Sequence, residues 1–217
     1  MNRFFKETAG AAMIEFTLIL PLLLAVALGT VDVTLMLYDW SMANKAAYRG
    51  ARVAVVAPPV ATEITSLPYD ELRDVPPIGD LCFVVESGAP DAAVRCPTVT
   101  TTCRSTSCSD MTFGYNSTRF DLIVGQMQQI FPRLTAANVE IEYQTTGLGF
   151  YGRPGGLPMN VTVRIRCMRA RLFFIGAWGA DWIFGDLPDN CGADPDPSGP
   201  PLPAFSTTMQ SEGMGAS

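Results

Sequence analysis

The chain has 217 residues, 48% of them hydrophobic and only 17% charged. It is too apolar to be disordered throughout and short of charge for an ordinary soluble domain. A formal net charge of −6 argues against a nucleic-acid partner, which would be met by a basic stripe. No histidine is present, which removes histidine triads, histidine metal ligands and the ordinary histidine general base.

Arg3 and Lys6 precede a stretch, Phe16 to Val31, without a charged residue. Across the wider window from Ala9 to Tyr38 only Glu15 and Asp32 are charged. At about 1.5 Å per helical residue, roughly 20 residues cross a bilayer core, so this segment is long enough to span. The positive-inside rule places Arg3 and Lys6 in the cytoplasm, and hence the remainder on the far side of the membrane. A cleaved signal peptide would have an apolar region of about 7–15 residues and a small-x-small site. Ala25-Val26-Ala27 could serve as that site. However, the apolar character runs on through Leu28, Val31, Val33, Leu35 and Leu37, and Glu15 is foreign to such a region.

Beyond the span the pattern turns amphipathic. Met36, Trp40, Ala43, Ala47 and Ala54 fall near one helical face, with Asp39, Asn44, Lys45, Arg49 and Arg52 supplying polar surface. Pro58-Pro59 ends the pattern, so one helix is predicted from Met13 to Ala57, kinked at Pro21.

Gly10-Ala11-Ala12-Met13-Ile14-Glu15-Phe16 resembles a prepilin peptidase site, a glycine followed five residues later by glutamate and then phenylalanine. Together with Thr17-Leu-Ile-Leu-Pro-Leu-Leu-Leu24 and Ala46-Ala47-Tyr48-Arg49-Gly50-Ala51-Arg52, the segment is similar to the TadE-like pilus assembly proteins. The resemblance implies a minor pseudopilin of the tight-adherence pilus machinery, cut by an aspartic prepilin peptidase. It further implies that Gly10 and Ala11 flank the scissile bond, that Phe16 serves recognition, and that Glu15 is the assembly carboxylate.

Residues 58–80 hold five prolines and read as a linker. Leu81 to Glu86 reads as a short strand, and the Ser/Thr/Cys-rich stretch 96–110 as a stapled loop. Ile123, Met127 and Ile130 predict a helix from Arg119 to Phe131, ended by Pro132. Strict alternation predicts antiparallel strands over Val139–Thr145 and Val161–Cys167. Their buried face is Val139, Ile141, Tyr143, Val161, Val163 and Ile165. Glu140 and Glu142 invite a glycosidase reading, but cross-strand pairing with Arg164 and Arg166 on a solvent face explains them better. Gly147-Leu-Gly-Phe-Tyr-Gly152 formally matches G-x-G-x-x-G. No helix opens after it, so it reads as a flexible hairpin loop rather than a dinucleotide site.

Six cysteines, Cys82, Cys96, Cys103, Cys108, Cys167 and Cys191, all follow residue 80. An even number on the exported side indicates disulfides, and the absence of a C-x-x-C pair disfavours zinc. Nearest-neighbour pairing is the simplest of several possible connectivities. The aromatic stretch Leu172–Trp182 is too short to span; it suits core or subunit packing, which we favour, or a membrane-surface contact.

The expected fold is α+β, a long N-terminal transmembrane helix with a small pilin-like domain containing an antiparallel sheet. Its divisions are a leader (1–10), a spanning and projecting helix (11–57), an extracytoplasmic domain (58–187) and a proline-rich, disordered tail (188–217). No enzymatic activity, metal or cofactor is expected. The expected partners are the membrane, a prepilin peptidase and other pilus subunits. The alternative is an uncleaved, membrane-tethered extracytoplasmic binding or structural module.

Overall fold

The computed structural model describes residues 8–66, 79, 81–83, 98–109, 113–150, 156–174, 191 and 200–211. Helix α1 (Thr8–Val56) runs unbroken through Pro21 and is long and apolar enough to cross a membrane. Helix α2 spans Ser117–Gln128. The strands are β1 (Leu81–Phe83), β2 (Thr100–Cys103), β3 (Val139–Thr145), β4 (Leu148–Phe150), β5 (Met159–Ile165) and β6 (Phe205–Ser211). A four-stranded antiparallel sheet has the order β2-β3-β5-β6, and β1 pairs with β4 in a separate ribbon. The architecture is the expected α+β, a long apolar helix with an antiparallel-sheet domain.

The chain divides into two compact units. One holds Met1–Trp40 with Arg169–Leu202, the other Ser41–Met168 with Pro203–Ser217. The sheet domain therefore draws on α1 residues before position 58 and on a strand after 187.

The predicted β3–β5 pair is present with Val139 opposite Ile165, Glu140 opposite Arg164 and Tyr143 opposite Val161. All six residues assigned to the inner face are buried. β5 starts at Met159 and stops at Ile165 rather than reaching Cys167, because Cys167 adopts a left-handed backbone (φ 58°) that cannot continue a strand. Part of the segment read as a flexible loop is a strand: β4 lies inside the glycine-rich run and pairs with β1. A Cβ at Gly149 would sit 2.8 Å from a Leu157 methyl and 3.1 Å from the Pro158 ring. That glycine lets β4 lie against the returning chain.

Two expectations are corrected. Part of the stretch read as a stapled loop is strand β2, the edge partner of β3. The tail read as disordered contains β6, paired with β5 from Phe205 opposite Ile165 to Ser211 opposite Met159. Proline content governed that reading, yet the prolines stop at Pro203 and the threonine-rich alternation after them favours a strand. β6 completes the sheet beside β5, with a Thr162–Thr208 hydroxyl bond of 2.8 Å across the pair.

α2 begins where Asn116 caps it, its side chain accepting from Arg119 N at 3.1 Å. Its buried face is Phe120, Ile123, Val124 and Met127, two positions of which the sequence reading omitted in favour of Ile130. The helix stops at Gln128, three residues short of Phe131, as Pro132 disfavours helix in the residues before it.

Candidate functional site

The Gly10–Phe16 motif occupies the first turns of α1. Gly10 and Ala11 lie in helical backbone, since α1 already begins at Thr8. Leader residues 1–7 lie outside the described residues. Glu15 is exposed, and it is flanked by Ile14 and Phe16, which are 64% and 62% exposed. From Met13 to Leu24 apolar side chains face outward on every side of the helix. That distribution suits a lipid solvent and no aqueous one.

Three hydroxyls of this segment are satisfied by its own backbone. The hydroxyls of Thr17, Thr30 and Thr34 donate to the carbonyls of Ile14, Ala27 and Thr30 at 2.9, 2.7 and 2.8 Å. Such back-bonding is required where no water is available. Asp32 is fully buried, its carboxylate accepting from Phe173 N at 2.9 Å and Phe174 N at 3.0 Å. In the sequence Asp32 is a lone charge at the end of an apolar run. No local signal links it to residues so far downstream.

Past Trp40 the helix changes solvent. Ala43, Ala46, Ala47, Ala51 and Ala54 are buried, as is Gly50, and recur at helical spacing. Trp40, expected on that face, is instead 47% exposed, and it precedes the part of α1 that belongs to the sheet-bearing unit. Gly50 is required by close approach: an added Cβ would fall 2.5 Å from Met127 Sδ of α2. The Ala-Ala-x-x-Gly-Ala stretch is therefore a docking surface for α2. The face carrying Lys45, Tyr48, Arg49 and Arg52 borders an open groove with Gln129 and Ile130. Arg49 is held there by Gln126, at 3.0 Å. The groove has no carboxylate among its lining residues and therefore no acid–base pair.

Residues 59–62, just after α1, are tied down. Thr62 N donates to Gly114 O at 2.9 Å and Asn116 N to Val60 O at 3.0 Å, while Arg119 reaches Pro59 O at 2.8 Å. Val60 N donates to the buried Tyr143 hydroxyl at 3.0 Å. Burial pushes that phenol up to about 12, against the opposing influence of the Val60 hydrogen bond.

On the opposite sheet face Glu140 collects three arginines. Arg166 Nη1 lies 2.7 Å from Oε2, Arg104 Nη2 3.0 Å from Oε2, and Arg164 Nη1 3.3 Å from Oε1. Arg164 also meets Glu142 at 2.9 Å. Cross-strand pairing was expected, but on a solvent face, whereas Glu140 is only 5% exposed. Arg104, supplied by the loop that the Cys103–Cys108 disulfide closes, covers it. A carboxylate neutralised in this way is no free nucleophile or general acid, which removes the glycosidase geometry. Cys167 and Cys191 are also disulfide-bonded. Cys96 lies outside the described residues, as do Trp178, Trp182 and Phe184. Among the described residues no cluster of acidic or cysteine side chains is arranged to hold a metal.

Residues 10–52 match the model of the family described as TadE-like protein. The match covers the motif-bearing part of α1 from Gly10 to Arg52 and no further part of the chain. No curated protein and no solved structure matches the chain.

Proposed function

We propose that the chain is a membrane-anchored minor pseudopilin that takes part in assembling a type IV-like tight-adherence pilus or secretion filament, and that it has no catalytic activity of its own. The observation that carries this reading is the head of α1. A glycine–glutamate–phenylalanine motif opens a helix that is apolar on all sides, inside the segment matched by the TadE-like family. A prepilin peptidase cuts between Gly10 and Ala11, α1 anchors the product in the inner membrane, and the sheet domain lies outside. The disulfide-bonded cysteines support that orientation, since such bonds persist in oxidising compartments.

The helical backbone over Thr8–Ala11 favours a second reading, an uncleaved membrane tether, because a protease needs an accessible, extended substrate. Intact mass of membrane-extracted protein separates the two. Loss of residues 1–10 is expected, and Gly10→Leu, which blocks close approach to the scissile bond, should retain the full-length mass. Unchanged full-length mass of the native chain, or normal maturation of Gly10→Leu, overturns the pseudopilin reading.

A further inference from the structure

Asp32 differs from every neighbour on its part of α1. Val31 and Val33 are 46% and 53% exposed, whereas Asp32 is 0% exposed. The returning segment 169–174 reaches it through Phe173 and Phe174, whose N–H groups each donate to a separate carboxylate oxygen. That segment is itself fastened by the Arg169–Pro201 bridge and by Ala170 N donating to Pro200 O at 3.0 Å. A carboxylate on a lipid-facing helix is costly unless donors meet it. Two successive backbone N–H groups brought against that helix are equally costly unless accepted, and together they form a concave anion site. Each group meets the need of the other.

The donors' own side chains stay outside, Phe173 60% and Phe174 41% exposed. From Met13 to Asp32 α1 rises about 30 Å, roughly the hydrocarbon thickness. Asp32 thus marks the C-terminal boundary of the span. Tyr38 and Trp40, 57% and 47% exposed, follow at headgroup level, where amphipathic rings gather.

We propose that Asp32 is a latch that holds Phe173 and Phe174 in the lipid interface at the C-terminal end of the span, giving the anchor a second membrane contact. The occupant of this aromatic patch is the bilayer, because the patch is continuous with the lipid-facing surface of α1. The proposal rests on α1 spanning the membrane, and its test separates the two claims.

The full chain, with Trp40, Trp178 and Trp182 replaced by Phe, is reconstituted in phosphatidylcholine–phosphatidylglycerol vesicles with brominated acyl chains. Phe173→Trp is the reporter, Val31→Trp the lipid control and Leu122→Trp, on an exposed position of α2, the water control. Phe173→Trp should be quenched by bromolipid as Val31→Trp is and be protected from acrylamide, with Leu122→Trp showing the reverse. Adding Asp32→Asn, which replaces one acceptor by a donor, should abolish most of the bromolipid quenching of Phe173→Trp while leaving Val31→Trp unchanged. If Val31→Trp is quenched and Phe173→Trp is not, the interface contact is wrong and the span stands. If neither is quenched, the span itself fails. Quenching that survives Asp32→Asn removes the latch.

Discussion

At Glu140 two opposing effects act on one carboxyl. Burial alone would raise it; the hydrogen bond and charge of Arg166, with those of Arg104, outweigh burial and hold it below its ordinary value of 4.5. A native value lowered in this way contributes stability that is fully present above about pH 4.5 and is lost as pH falls through the native value. The arginines retain 27–55% of their side-chain exposure, so water re-solvates them when the carboxylate is removed. Glu140→Gln should therefore cost about 1–2 kcal/mol at pH 7, below the roughly 3–5 of a fully buried pair. It should also flatten the acid limb of a plot of urea midpoint against pH. A variant that keeps the wild-type slope below pH 4.5 would show that other carboxyls govern acid unfolding.

Among the elements, α1, β3 and β5 were legible because each carries a repeating pattern over enough residues to fix its solvent. An all-apolar run, an alanine stripe and two strict alternations need no tertiary information. β2 and β6 were not, since each is an edge strand built mostly of polar residues, among them the buried Thr101 and Ser211, so no apolar alternation marks it. Their strand character comes from partners distant in sequence. The Asp32 contact and the third arginine on Glu140 were illegible for the same reason. The glycine of the Ala-Ala-x-x-Gly-Ala stretch was visible as a motif, but its cause, Met127 on α2, appears only in three dimensions. Gly50→Leu should lower domain stability by about 1–3 kcal/mol through overpacking. Met127→Ala alone should cost roughly 2–5 kcal/mol through the cavity it leaves. Because the new side chain can enter that cavity, the double variant should lose clearly less than the sum, a coupling above about 0.5 kcal/mol in the thermal-melt cycle. Strict additivity would mean that the two positions do not compete for one space.

For the molecule as a whole, the division into a unit that includes the apolar half of α1 and a unit that carries the four-stranded sheet has a functional consequence. The sheet domain takes its α1 contribution from Ala43 onward, so nothing in its core depends on the first turns of the helix. Glu15 stands in those turns, exposed, with no hydrogen-bonding or ionic partner among the described residues. A carboxylate within a span costs roughly 2.5–3.5 kcal/mol at its centre and less near its end. No contact among the described residues of the subunit accounts for it. Under the proposed function, cleavage after Gly10 creates an α-amino group at Ala11, and Glu15 of a neighbouring subunit can pair with it. An ion pair in low dielectric depends steeply on geometry, so that contact would fix the register of one helix against the next. Glu15→Ala should accordingly insert, mature and form its disulfides as the wild type does, with an unchanged melting temperature for the sheet domain. It should nevertheless fail to co-purify with other pilus subunits or to support filaments. Glu15→Gln, which keeps the shape without the charge, should fail in the same way. Normal filaments from either variant would leave Glu15 without a role in assembly, whereas an Ala variant that also loses the domain's melting transition would place the residue in folding instead.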